Sequence, residues 1–395
     1  MNHTATGAVR TPLGASRRAL LFGNFAIGCG VMVVPGSLND IARALQVSTA
    51  LAGQLIAMAA AVMCFGAPLL AAAVAGWDRR RLLAFALAWY ALGHALSALM
   101  PGYVPLAAVR LATMLAAAVF TPQAAAAIGT MSSSAERGRA ITFIFLGWSV
   151  ASVLGMPMAS LLGDNLGWQA AFGMVALLAA IGAAWVWRAL PDGVRPPALS
   201  LAAWREVFTH PVLMATVLVT ALQGAGQFTL FSYCAPYYRQ VLGADPSQVS
   251  MLFLWFGACG FAGNLMLTRH IDRIGAERAV ALTIVLIGLS LALWSTAHHV
   301  ATMALVIVPW GLGCFASNSA QQARLGLAAP ALAPALLALN TSAIYLGQAA
   351  GAAGGGALLA GQGFGSLAPV GLLWVIVALI LSQWAATRMR VRHAR

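Results

Sequence analysis

Gly147-Trp148-Ser149-Val150-Ala151-Ser152-Val153-Leu154-Gly155-Met156-Pro157-Met158-Ala159-Ser160-Leu161-Leu162-Gly163 contains no ionisable side chain, and the uncharged run around it extends over 140–163. Such a run matches the roughly 20 apolar residues a helix needs to cross a bilayer. In hydrocarbon each unsatisfied peptide group costs several kcal/mol, so a helix is the conformation it adopts. On that helix Gly147, Ala151, Gly155, Ala159 and Gly163 recur at every fourth position, giving one smooth face where a second helix can come close. Pro157 predicts a bend. The segment reads as a membrane helix made to pack against another.

Further runs of spanning length lie on both sides of it. Before the midpoint of the chain they fall at about 19–38, 50–74, 82–100 and 105–130, with 169–188 after the quoted segment. A second set follows at about 211–236, 249–268, 279–297, 301–322, 335–360 and 367–387. Composition agrees: 61% of residues are hydrophobic and 8% charged, with a mean hydropathy of +0.85, against roughly 25% charged in an ordinary soluble domain. The short alternating segments of a β-barrel do not occur. The expected fold class is an all-α membrane protein of about twelve transmembrane helices in two pseudo-symmetric six-helix bundles.

The one long polar interruption, Pro191 to His210 with Asp192, Arg195, Pro196, Pro197, Arg205 and Glu206, reads as a loop joining the halves. The expected organisation is a cytoplasmic tail 1–18, a bundle 19–188, a central cytoplasmic loop 189–210, a bundle 211–387 and a tail 388–395. Arg10, Arg17 and Arg18 precede the first apolar run, as in a signal peptide, but that run is long and lacks an Ala-x-Ala-like exit, so it reads as a retained first span.

The net charge of +13 is explained by where the arginines fall. With both termini in the cytoplasm, the inner segments hold clusters such as Arg79, Arg80 and Arg81, or Arg269, Arg273 and Arg278, while the outer loops hold only Arg43 and Arg239. This is the positive-inside pattern of a multi-pass protein of a bacterial-type inner membrane. A nucleic-acid surface would gather the charge on one folded face, and none is expected as a partner. Cys29, Cys64, Cys234, Cys259 and Cys314 all lie in apolar spans without metal-ligand spacing, so neither a metal nor a cofactor is expected. The lipid bilayer is the expected partner, with the chain acting as a monomer.

Between spans 8 and 9 the chain reads Gly263-Asn264-Leu265-Met266-Leu267-Thr268-Arg269-His270-Ile271-Asp272-Arg273-Ile274-Gly275-Ala276-Glu277-Arg278. It resembles the Asp-Arg-x-Gly loop of the major facilitator superfamily, in which an acid and arginines at a glycine turn can pair with facing helix ends and hold a gate. The loop after span 2, Ala75-Gly76-Trp77-Asp78-Arg79-Arg80-Arg81, keeps the arginines but departs from the pattern: aligned on them, the family's acid falls on Ala75 and its glycine on Asp78. Span 5, with Gly155 and Pro157 followed by Gly167-Trp168, resembles the Gly-x-Pro pattern of the family's exporter branch, the twelve-span drug and proton antiporters that include arabinose-efflux-like permeases. Glu136-Arg137-Gly138-Arg139 resembles that family's corner between spans 4 and 5, and Gly347, Gly351 and Gly355 in span 11 form a second stripe of small residues. Gating or loop roles thus fall to Asp78, Arg79, Arg80, Glu136, Arg137, Asp272, Arg273 and Arg278, and helix packing to Gly147, Gly155, Pro157 and Gly163.

An ionisable group within a span is costly and marks function by default. Arg110, near the start of span 4, matches the arginine of the family's span 4 motif, which the resemblance assigns to the central cavity and to coupling; its alternative is an arginine snorkelling to the outer interface. No carboxylate falls at mid-span, which leaves Asp40 at the outer end of span 1 and His94 in span 3 as protonation candidates. With Arg110 as the only fixed charge, the cavity favours neutral or anionic solutes over organic cations. Asn24, Gln54, Gln123, Gln223, Gln227, Thr341, Tyr345 and Gln348 supply neutral polar groups, and Trp148, Phe228, Tyr233 and Trp310 supply ring walls.

The expected function is a proton-coupled efflux carrier for a small neutral or anionic organic compound such as a drug, sugar or metabolite, working by alternating access. Import or facilitated passage of a small polar solute is the alternative. A membrane enzyme would need a nucleophile with its base or a set of metal ligands, and no Gly-x-Ser-x-Gly or Asp-rich loop is present.

Overall fold

The computed structural model describes residues 13–195 and 201–393. Arg10, Pro196, Pro197 and Arg395 lie outside the described residues, as does the side chain of Asp164. Among the described residues there are fifteen α-helices and three single-turn 3-10 segments. The long helices of the first half are α1 (Leu13–Gly36), α3 (Thr49–Ala73), α4 (Arg79–Ala98), α5 (Tyr103–Met131), α6 (Arg137–Leu166) and α7 (Trp168–Ala189). Those of the second half are α9 (Pro211–Phe231), α11 (Pro246–Ile274), α12 (Ala276–Leu293), α13 (Val300–Ala328), α14 (Ala333–Gln362) and α15 (Leu367–His393). Three short helices complete the set: α2 (Leu38–Ala44), α8 (Leu201–Thr209) and α10 (Cys234–Gln240).

Eleven of these stretches are long and apolar enough to cross a membrane. The twelfth long helix, α4, falls outside that group because Arg79, Arg80 and Arg81 occupy its first turn, yet it packs lengthwise on α5 and α7 like its neighbours. Helix α1 starts at Leu13, within the segment 1–18, and α15 runs to His393, past residue 387. The predicted central loop contains α8, a short amphipathic helix in which Arg205 and Glu206 break the apolar run.

The small-residue stripe of α6 packs on α1. A Cβ added at Gly147 would meet the backbone of Leu21 and Phe25, one at Gly155 would meet Met32 Cβ at 3.2 Å, and one at Gly163 would meet Asp40 Oδ2 at 2.7 Å. The second half repeats this arrangement between α14 and α9, where Gly347, Gly351 and Gly355 lie directly on the carbonyls of Ala221, Ala225 and Thr229. At Gly147 and at all three α14 positions the added carbon would strike the neighbour's backbone, so glycine is required there, whereas Gly155 lies on the Met32 side chain and Gly163 on the Asp40 side chain of α2. The α6–α7 and α11–α12 junctions turn at Gly167 and Gly275, with φ of 85° and 81°, a conformation an L side chain resists.

The two halves meet along α6–α11, α6–α13, α3–α14 and α5–α14. We call the end holding the start of α1, α8 and the end of α15 the basic end, and the other the far end.

Candidate functional site

All described hydrogen bonds between the halves lie from mid-depth to the basic end. Nearest that end, Asp272 Oδ1 accepts the backbone N–H of Arg139 at 3.0 Å, in the first turn of α6. A carboxylate placed there also complements the positive end of the helix dipole. Deeper, Asn264 Nδ2 of α11 donates to Ser149 Oγ of α6 at 2.8 Å. On the opposite side Ser342 Oγ of α14 donates to the Cys64 carbonyl of α3, and Cys64 Sγ donates back to the Ser342 carbonyl at 3.6 Å. The halves of α5, α13 and α14 nearest the basic end are buried almost without interruption: residues 116–129, 319–326 and 332–341. Toward the far end the same helices expose Leu111, Leu305 and Leu346.

The other predicted gate residues are used locally. Asp78 caps α4, accepting from Arg81 N at 3.1 Å, and its second oxygen accepts from Gly193 N at 2.7 Å. Arg79 is buried and donates to the carbonyls of Val74, Ala75 and Trp77, closing the end of α3. Arg80 donates to the Trp187 carbonyl at 2.7 Å and lies over its ring. Glu136 pairs with Arg17 at 2.9 Å, while Arg137 donates to the Gly129 carbonyl at the end of α5. Arg273 and Arg278 are exposed. Of the two matching loops, only the second sends an acid across the seam.

Arg110 is 1% exposed, inside the first bundle rather than at a headgroup interface. Its guanidinium donates to the Gly30 carbonyl of α1 at 3.1 Å and sits 6.0 Å from the ring centre of Phe172 on α7. His94 adjoins the same ring at 5.8 Å and packs tilted against Tyr90 at 4.3 Å, while Tyr90 donates to the Ile27 carbonyl. Two separately predicted residues, Arg110 and His94, therefore share one buried cluster. Asp40 is in α2 at the far end, 3.5 Å from Arg43.

The neutral polar candidates are linked in a chain in the first half and form separate pairs in the second. In the first half Asn24 Nδ2 donates to the Ile144 carbonyl at 3.1 Å, Thr121 Oγ1 donates to Asn24 Oδ1 at 3.0 Å, and Trp148 Nε1 donates to Thr121 Oγ1 at 3.3 Å. In the second half Gln223 donates to Ser317 Oγ at 2.5 Å, Thr220 donates to Asn340 Oδ1 at 2.6 Å, and Trp310 Nε1 donates to Gln227 Oε1 at 2.8 Å. Gln123 is fully buried and neither end of its amide has a described partner. Tyr345 and Gln348 are half-buried on α14, and Tyr233 lies toward the far end, donating to the Ala352 carbonyl at 2.6 Å. Trp310 is not an exposed wall: it is 1% exposed, packed among Phe231, Phe256 and Trp294.

Three residues escaped the reading of the sequence. Ser317, Asn318 and Gln322 belong to a polar run, Ser317-Asn318-Ser319-Ala320-Gln321-Gln322, at the predicted closing end of span 10. The helix continues to Ala328, which places the run inside the protein. Arg324 is buried in that helix and donates to Ser382 of α15 at 2.9 Å.

The sequence profile described as the Major Facilitator Superfamily matches residues 20–331. The Inner membrane transport protein YdhP of Escherichia coli (strain K12) is 29% identical over 94% of this chain and 95% of its own. The Chloramphenicol resistance protein of Streptomyces lividans is 34% identical over 90% of this chain and 92% of its own. A probable sugar efflux transporter of Helicobacter pylori (strain G27) is 27% identical over 89% of this chain and 90% of its own. Among solved structures, the human organic anion transporter MFSD10 (TETRAN) superposes with a TM-score of 0.76 over 94% of this chain and 99% of its own, at 16% identity, a likeness of fold. A profile matching most of the chain, relatives matched almost end to end and a bundle of two repeated halves agree: this multi-pass membrane protein belongs to the Major Facilitator Superfamily, a family of transporters and not of enzymes.

Proposed function

We propose that this chain is a proton-coupled exporter of a small neutral or anionic organic compound, with the basic end in the cytoplasm of a bacterial-type inner membrane. The observation that carries the reading is the bonded seam: the described hydrogen bonds between the halves lie from mid-depth to the basic end. Two rigid bundles joined at one end have a second arrangement open at that end, which is what alternating access requires. The names of the relatives, a chloramphenicol resistance protein and sugar efflux transporters, support outward movement. The buried cluster of Arg110, His94 and Tyr90 supports coupling, since ionisable groups are kept in a membrane bundle for a function.

The test is counterflow and gradient-driven movement in proteoliposomes. With an imposed pH gradient, solute is expected to move against its own gradient, and dissipating the pH gradient with an uncoupler abolishes accumulation. Equal movement with and without the uncoupler contradicts proton coupling and favours facilitated passage.

A further inference from the structure

Helices α6 and α13 run antiparallel across the seam, and Gly326 marks their register: a Cβ there would lie 2.9 Å from Ile141 Cδ1. One helical turn advances about four residues. Moving from that contact toward the far end therefore brings Gln322 to the level of Phe145, and Asn318 to the level of Ser149. At Ser149 the side chain of Asn264 crosses from α11. At the same depth on the first-half side stand Ile144, which holds Asn24, and Trp148, which is half-buried with its indole N–H on Thr121.

Three carboxamide oxygens belong to this belt: Asn264 Oδ1, Asn318 Oδ1 and Gln322 Oε1. All three are shielded from solvent and have no described donor, and the residues Asn264 and Gln322 are 0% and 1% exposed. Buried acceptors without donors are rare in folded proteins because the group gives up its hydration for nothing. We infer that these three oxygens form the recognition wall for an uncharged solute carrying several hydroxyl groups, with Trp148 offering a ring face to its C–H side. This deepens the proposed transport function and rests on it.

The chemistry selects among ligand classes. Carbonyl oxygens accept hydrogen bonds, so they match O–H donors. An organic anion would meet the negative ends of three dipoles. An organic cation would need a carboxylate, and the described Asp and Glu side chains lie away from this belt: Asp78, Glu136, Asp245, Asp272 and Glu277 at ends of long helices, Asp40 and Glu206 in the short helices α2 and α8, and Asp192 in the turn after α7. Arg110 is held by Gly30 behind α1 rather than on α13.

Proteoliposomes of the full chain, loaded separately with arabinose, chloramphenicol, benzoate and tetraethylammonium, test this. At least one of the two hydroxyl-bearing neutral probes is expected to be carried, with neither ion carried as well. Gln322→Leu and Asn318→Leu are each expected to raise the KM for that probe by about tenfold, the scale of one lost buried hydrogen bond. The ligand-free melting temperature of these variants is expected to hold or rise, because the unpartnered carbonyl is gone. A fall in melting temperature with unchanged KM would show that the oxygens hold structural water, and would overturn the inference. Carriage of benzoate in preference to both neutral probes would overturn it too while leaving the transport reading intact. Carriage of none of the four would overturn both.

Discussion

Arg110 shows how far a single residue can be read from a sequence. Its cost inside a span is legible from residue type alone, and the resemblance to a family motif marks it as functional. Its surroundings are not legible, because Gly30, Tyr90, His94 and Phe172 come from three other helices. The arrangement predicts that Arg110→Ala abolishes gradient-driven accumulation in proteoliposomes while the protein still purifies as a folded species. Truncation removes the guanidinium's hydrogen bond to the Gly30 carbonyl, a loss of about 1.5–3 kcal/mol that a thermal melt would register. Arg110→Lys keeps the charge and is expected to recover part of the transport. Normal accumulation by Arg110→Ala would remove the guanidinium from the coupling cluster.

Among the elements, α6 and α14 carry the most specific prediction. Gly351 lies on the carbonyl of Ala225, so Gly351→Leu forces α14 from α9 and is expected to cost at least about 1–3 kcal/mol, the usual penalty of overpacking. Gly354, one residue short of the next stripe position, has open space around it. Gly354→Leu is therefore expected to melt within a few degrees of the parent, and equal losses in both variants would contradict the packing of α14 on α9. These stripes were legible because a period of four in small residues has one physical use in a membrane. The polar run of α13 was not recognised, since hydropathy measures how much of a helix suits lipid and stops where polar side chains begin, even when those side chains face protein. The short helices α2, α8 and α10 went unread for a related reason, being too brief for any periodicity to separate them from loops.

For the whole molecule, the two-bundle architecture follows from the spacing of apolar runs and from the distribution of arginines, and the family comparisons agree with it. The asymmetry of the gate does not follow from those features. Each acid directly precedes an arginine, yet the two loops behave differently because Asp78 falls at the N-cap of α4, whereas Asp272 sits in the last turn of α11 and reaches α6. Asp272→Asn removes a charge from the dipole of α6, weakening closure at the basic end by about 0.3–1 kcal/mol, a severalfold population shift. Spin labels at Ser134→Cys and His270→Cys, both exposed, are expected to report a larger fraction of long distances in that variant.

The most direct measurement joins the two halves where they meet. The Cβ position of Gly138 lies 2.9 Å from Asp272 Oδ1, so Gly138→Cys with Asp272→Cys, in a chain whose native cysteines are replaced, places two thiols within bonding reach. If transport requires the bundles to part at the basic end, oxidation is expected to stop solute movement and reduction to restore it. Undiminished transport by fully cross-linked protein would contradict the alternation of the two halves.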